Sequence, residues 1–341
     1  MAGIKVILGG GIFWSKDHWS PDKLEIFLDS FAAAGVRGID VAQIYGESEE
    51  VLGEAYTKKK FEIATKVPGV TVPGSFQAEQ VVLRTQESLR KLKVEQVDIL
   101  YLHTPDPSIP IEETLQGIQR LFTAGAFRRF GISNYAAKDV REIYEHQKSK
   151  GWVLPSVYQG NYNPITRHYE TDLLPLLREL GISFYAYSPT AGGFLAKSKQ
   201  QVVNGVGRFG KDGGTEGAYY NELYNKPALL EILSTWADIA KDAGTAPYHL
   251  ATRWVSYNSV LQPERGDALI IGVHDAEQLS ENLAGLKQGP LSPRIAERVD
   301  AIWESARRES IVVDGNFIMN MIKKNLPQGS VRSGHLSTPT P

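Results

Sequence analysis

The chain has 341 residues, with 37 Lys and Arg against 39 Asp and Glu, 42% hydrophobic residues and no cysteine. A net charge of −2 gives no electrostatic case for nucleic acid or an anionic membrane, and the absence of cysteine excludes disulfides, thiolate catalysis, iron–sulfur clusters and Cys-ligated zinc. A chain of this length buries a large core without staples, and no uncharged apolar run approaches the ~18 residues of a membrane span.

In chain order, short β-branched or aromatic runs alternate with longer amphipathic stretches. The predicted strands are Ile4–Leu8, Gly38–Val41, Phe61–Lys66, Val97–His103, Arg128–Ile132, Ser156–Gly160, Ser183–Tyr187 and Ala268–Val273. Ser20-Pro21, Ser48-Glu49-Glu50 and Ile111-Glu-Glu open helices, and Ser48 is expected to cap the second. Gly35, Gly125, Gly151 and Gly181 stand where left-handed residues end helices. Such alternation means a doubly wound sheet or a closed barrel. Nearly every strand run ends in a chemically capable residue: Asp40, Lys66, His103, Ser133-Asn134, Gln159, Tyr187-Ser188 and His274. A barrel gathers all of these on one face, whereas an open sheet gathers only those near its switch point, so the α/β class resolves to a single (β/α)8 TIM barrel.

Two segments exceed a barrel's needs. Residues 189–226 are rich in glycine and tyrosine, show no helical period, and are read as a long loop covering a ligand. Within them Gly205-Val-Gly207-Arg-Phe-Gly210 matches a dinucleotide fingerprint letter for letter. The following Asp212-Gly-Gly-Thr-Glu-Gly217 is unsuited to a helix interior, so the stretch is read as a flexible loop instead. The barrel is assigned to residues 1–326 with a C-terminal extension, and the Ser/Thr/Pro-rich residues 327–341 to a disordered tail. With no secretory signal legible near Met1, the expected location is cytoplasmic, as a monomer or homodimer.

The informative stretch is Gly38-Ile-Asp40-Val-Ala-Gln-Ile-Tyr45-Gly46-Glu-Ser48-Glu49-Glu-Val-Leu-Gly53. Singly, Asp40 reads as a carboxylate tied to loop amides and Tyr45 as a half-buried loop aromatic. Lys66 changes the balance, because it closes an apolar strand where a solvated lysine is out of place. A buried ammonium needs a partner, and in a barrel Asp40 is one strand away. Held near Tyr45, Lys66 is expected to lower the phenol's pKa from about 10 and make it a general acid. His103, alone more often structural, joins Asp40, Tyr45 and Lys66 at consecutive strand ends. No cluster has metal-ligand spacing.

These motifs, with Ala64-Thr65-Lys66-Val67, Tyr101-Leu102-His103-x-Pro105-Asp106 and Gly131-Ile-Ser133-Asn134-Tyr135, resemble the aldo-keto reductase superfamily from Gly9 to about Ala306. Tyr187-Ser-Pro-x-Ala191-Gly192-Gly193-x-Leu195 with Gly207-Arg208-Phe209 is most similar to the aflatoxin-aldehyde-reductase-like branch. The resemblance implies reduction of aldehydes and ketones by hydride transfer, Tyr45 being the proton donor, Lys66 and Asp40 tuning it, and His103 orienting the carbonyl. It implies NADPH, with NADH possible. Ser133, Asn134 and Gln159 would hold the carboxamide and Tyr187 would stack on the ring. Ser188, Gly193 and Leu195 would fold over the pyrophosphate. Gly272, His274, Gln278 and Asn282 would hold the adenosine end, with Arg208 at a 2′-phosphate.

The pattern departs in three places. Lys197-Ser198 displaces the branch's lysine by one position, His274-Asp275 replaces two serines near the adenosine ribose, and Tyr220 is followed by Leu223 instead of arginine. The last argues against short carboxylated aldehydes. The substrate, a small carbonyl compound, is expected against Trp14, Ile44 and Tyr220, together with Phe13, Tyr162, Tyr219 and Tyr224 wherever these do more than pack the loops. Two other readings remain: a cofactor-binding regulatory subunit resembling potassium-channel β subunits, and an unrelated lyase or isomerase on the same barrel.

Overall fold

A computed structural model describes residues 3–55, 58, 60–210 and 214–325. Eight parallel strands close on themselves in sequence order: β1 (Lys5–Gly9), β2 (Gly38–Asp40), β3 (Glu62–Val67), β4 (Val97–Leu102), β5 (Phe127–Ser133), β6 (Pro155–Asn161), β7 (Ser183–Tyr187) and β8 (Ala268–Ile271), with β8 paired to both β7 and β1. Every predicted strand is present, its bounds shifted by at most two residues. The (β/α)8 barrel expected from the pattern is the fold.

The first six strands are followed by helices α1 (Pro21–Ala33), α2 (Ser48–Glu54), α3 (Ala78–Leu92), α4 (Ile111–Thr123), α5 (Ala137–Lys150) and α6 (Leu173–Leu180). Ser20 caps α1, its hydroxyl accepting from the Lys23 N–H, with Pro21 in the first helical position. Ser48 does not cap α2. It lies inside the first turn, fully buried, and its hydroxyl donates to the Ala42 carbonyl instead.

Residues 189–226 are also more regular than expected. A 3-10 turn (Ala191–Ala196), α7 (Lys199–Val203), a second 3-10 turn (Gly207–Phe209) and α8 (Gly214–Tyr224) occupy them. Helix α8 runs through Gly217, which presses against the Arg208 and Gly210 carbonyls. It buries scattered positions rather than one stripe, and so carries no periodic signal. Residues 211–213 lie outside the described residues. Helix α7, not a strand, precedes the glycines, which removes the context of a dinucleotide fingerprint. Helices α9 (Pro227–Asp242) and α10 (Pro247–Arg253) lead to β8. After it come α11 (Ala276–Lys287), α12 (Pro293–Ala306) and α13 (Gly315–Asn325). The expected tail, 327–341, falls outside the described residues.

Strand alternation divides the apolar residues into two sets. Leu8, Ile39, Leu100, Phe130, Tyr158, Phe184 and Leu269 face the helices, while Ile7, Ala64, Ile99, Tyr101, Val157, Tyr185, Ala268 and Ile270 form a separate cluster in the lumen. The same parity turns Asp40, Lys66 and Gln159 inward. Gly131 lies beside Tyr101 in register, and a Cβ there would stand 2.3 Å from the Tyr101 ring. Gly131→Ala is therefore expected to cost about 1–3 kcal/mol by overpacking. Urea denaturation measures this, and an unchanged midpoint would show that the lumen has slack.

Candidate active site

The polar strand ends meet at the C-terminal mouth of the barrel, where this fold places its active sites. Asp40, at the last position of β2, is buried. One carboxylate oxygen accepts from Lys66 Nζ at 2.7 Å and the other from Gln159 Nε2 at 3.0 Å. Lys66 has no exposed surface and also donates to the Val41 carbonyl at 2.8 Å. Burial pulls the Lys66 ammonium below its ordinary pKa while Asp40 pulls it back up.

Tyr45 lies in the loop after β2, its ring centroid 4.8 Å from Lys66 Nζ and 5.8 Å from the His103 ring, which it meets edge to face. The loop's course depends on Gly46, whose φ of +59° and approach to the Trp14 carbonyl, 2.3 Å from an ideal Cβ, exclude a side chain. The phenol's pKa differs from the expectation: burial pushes it well above the ordinary value and Asp40 adds to the rise. The reason lies in the ion pair. Asp40 neutralises the ammonium that was to favour the tyrosinate, leaving desolvation dominant. Burial, with Lys66 beside it, likewise holds the His103 imidazole well below its ordinary range, and Nδ1 is buried without a hydrogen-bond partner. The pocket thus presents a protonated phenol beside a neutral imidazole.

Asn134 follows β5 with φ +63°, donating to the His103 carbonyl and the Ser133 hydroxyl and accepting from the Tyr187 hydroxyl, each at 3.0 Å. Ser188, with φ +53°, lies 3.3 Å from the Tyr220 hydroxyl. The Tyr220 ring packs against Gly192, and Arg208 lies 5.5 Å over that ring while pairing with Glu216 at 3.0 Å. Gly193, at φ +92°, is open except towards Lys197. Leu195 is fully buried, with its N–H bonded to the Thr190 carbonyl, so it braces the turn and has no surface to offer a ligand.

At the end of β8, Gly272 has open space around it. The His274 N–H donates to Gln278 Oε1 at 2.7 Å, and Asn282 is buried with an unpartnered Nδ2. Asp275 caps α11 by accepting from the Gln278 N–H at 2.8 Å, a structural duty invisible in its spacing.

Trp14 and Ile44 are 55% and 42% exposed at the mouth, where large apolar groups have no packing reason to be. Phe13, Tyr162 and Tyr224 are not pocket residues. Phe13 packs edge-on to Trp19 and Phe27, Tyr162 donates to Glu170, and the Tyr224 hydroxyl bonds Asn161 and Asn163. Two contributions escaped sequence reasoning. Phe317 of α13 meets Tyr219 edge-on at 5.7 Å, and Glu49 is a buried carboxylate accepting from Thr65. The Tyr45-Gly46-Glu-Ser48-Glu49 spacing held a signal for Glu49, whereas nothing local marks Phe317.

A closed parallel barrel thus carries a buried Asp–Lys pair, a tyrosine and a histidine together at its mouth. Residues 5–304 match the aldo/keto reductase family. The chain is 37% identical to the oxidoreductase sirO of Leptosphaeria maculans, over 83% of this chain and 86% of that protein. It is 38% identical to aflatoxin B1 aldehyde reductase member 2 of Rattus norvegicus (82% and 80%) and to aldo-keto reductase family 7 member A3 of Homo sapiens (82% and 88%). The chain belongs to the aldo/keto reductase family and is an oxidoreductase. The family's enzymes use nicotinamide cofactors. No helix among the described residues is long and apolar enough to cross a membrane.

Proposed function

We propose that this protein reduces apolar or aromatic aldehydes and ketones to alcohols, with Tyr45 as proton donor and NADPH as preferred cofactor. The observation that carries this is the buried Asp40–Lys66 pair beneath a tyrosine that burial keeps protonated. A carbonyl oxygen gains negative charge as its carbon is reduced, and a phenol aimed at it can hand over the proton. His103, neutral, orients the same oxygen by a hydrogen bond. Trp14, Ile44 and Tyr220 offer the substrate an apolar wall. Leu223 is buried in α8 and supplies no cation there, which favours uncharged substrates.

The residues fit a dinucleotide. Ser133, Asn134 and Gln159 present amide and hydroxyl groups beside Tyr187, and the buried Nδ2 of Asn282 lacks a protein partner near α11. When bound, a reduced nicotinamide supplies the hydride. Lys197 Nζ stands 3.8 Å from where a Gly193 Cβ would be and 3.7 Å from the equivalent point at Gly207. Burial and the neighbouring Arg208 pull its pKa down. Lys197, held beside both glycine turns while Arg208 pairs with Glu216, offers a cation to an anion there, which supports a phosphate. Asp275, occupied as a helix cap, is a weaker argument for NADH than its position in the sequence suggested.

Steady-state kinetics with both cofactors over uncharged aromatic, aliphatic and carboxylated aldehydes test the reading. The expected order is NADPH over NADH and uncharged over carboxylated. Absence of turnover with every carbonyl would remove the reductase assignment, and faster NADH turnover would remove the cofactor preference alone.

A further inference from the structure

The lumen beneath the Asp40–Lys66 pair is not filled by side chains alone. A pocket of about 10 Å³ remains, lined among others by Ala64, Asp40, Tyr101, Arg129 and Tyr185 and, towards the exposed N-terminal floor of the barrel, by Lys5, Glu62 and Asp98. That is room for the centre of one water molecule. The Tyr101 hydroxyl is buried beside the Gln159 side-chain amide and has no protein acceptor for its own hydrogen. Leaving a buried hydroxyl hydrogen without an acceptor is costly, so the site as built calls for a partner. The ring cannot swing away to find one, because it is wedged against Gly131 and lies under Lys66, 5.8 Å from Nζ. Across the lumen, Tyr185 accepts from Arg129 Nη1 at 3.1 Å, which leaves its own hydroxyl hydrogen to donate. Arg129 is itself anchored by Asp98 at 2.5 Å. Each Asp40 carboxylate oxygen, bonded once to Lys66 or Gln159, retains a further lone pair.

We propose that the lumen holds one structural water, accepting from the Tyr101 and Tyr185 hydroxyls and donating to Asp40, and that through it Tyr101 is a positioning residue for the Asp40–Lys66 pair. The water has three polar partners, the usual number for a buried one. Burial, with Asp40 adding to it, pushes the Tyr101 phenol well above its ordinary pKa and keeps it a donor. The arrangement braces Asp40 from the side of the barrel opposite the mouth, so the ion pair holds its geometry.

The positioning role rests on the reductase reading, whereas the water site does not. A crystal structure of the full chain, at a resolution that orders internal waters, is expected to show one water within hydrogen-bonding distance of both Tyr101 Oη and Asp40. A dry cavity, or a Tyr101 hydroxyl bonded directly to Gln159, would overturn the proposal. Tyr101→Phe keeps the ring and removes the hydroxyl. It should leave NADPH affinity and the carbonyl KM unchanged and lower kcat about tenfold, the scale of a small misplacement at a reacting centre. Wild-type kcat in that variant would refute the positioning role. Ala64→Val fills the cavity with every hydroxyl retained and should lower kcat in the same way. Normal turnover with the water displaced would refute the role even if Tyr101→Phe fails to fold. If the wild-type protein reduces no carbonyl, the reductase reading fails, and the crystallographic water alone then decides the site.

Discussion

Replacing Tyr45 with phenylalanine is expected to lower kcat for carbonyl reduction by about 10²–10⁴-fold, the range of a lost general acid. NADPH binding, followed by tryptophan fluorescence, should be almost unchanged, because the ring and its contact with His103 remain. The pH dependence adds a second check. Burial pushes the Tyr45 phenol upward, so the wild-type rate should hold through neutrality and fall only above the ordinary phenol value of about 10. His103 is held neutral, so no acidic limb is expected near about 6.5. The variant's residual rate should lose the alkaline limb. Full activity in Tyr45→Phe would end the proposed mechanism.

Lys66→Met is expected to act on both the fold and the rate. It strips the buried Asp40 carboxylate of its only ion-pair partner among the described residues, and breaking a buried pair in this way costs about 3–5 kcal/mol. Against a total stability of about 5–15 kcal/mol, that is a large loss. Adding Asp40→Asn removes the stranded charge, so the double variant should recover much of the stability in urea titrations while reduction stays impaired. Non-additivity of this kind is the signature of a direct pair. If Lys66→Met were as stable as the wild type, the ion pair would not be the energetic feature its burial indicates.

The gathering of Asp40, Tyr45, Lys66 and His103 was legible because barrel topology converts strand order into spatial order. Asp40, Lys66 and His103 end or follow consecutive strands, so reading them as neighbours needed only the closure of the sheet. The regularity of residues 189–226 was not legible. Helix α8 packs on the barrel mouth, on Arg208 and on α13, so its burial follows several neighbours and leaves no period. Phe13, Tyr162 and Tyr224 show a related limit. An aromatic residue in a loop reads the same whether it faces a ligand or a half-buried glutamate, as Tyr162 does.

The sequence by itself determined the eight-strand barrel and the face on which the polar strand ends gather, because the hydrophobic period and strand-end polarity are local properties. Only the tertiary structure decided which way the Tyr45 phenol is shifted. Whether a lysine lowers a phenol's pKa depends on what else neutralises the lysine, and Asp40, 2.7 Å away, does so in a site where desolvation outweighs what remains. It likewise decided that Asp275 caps a helix and that Tyr101 is held over a water-sized space. Both depend on distances between chain-distant atoms, which spacing along a chain does not encode.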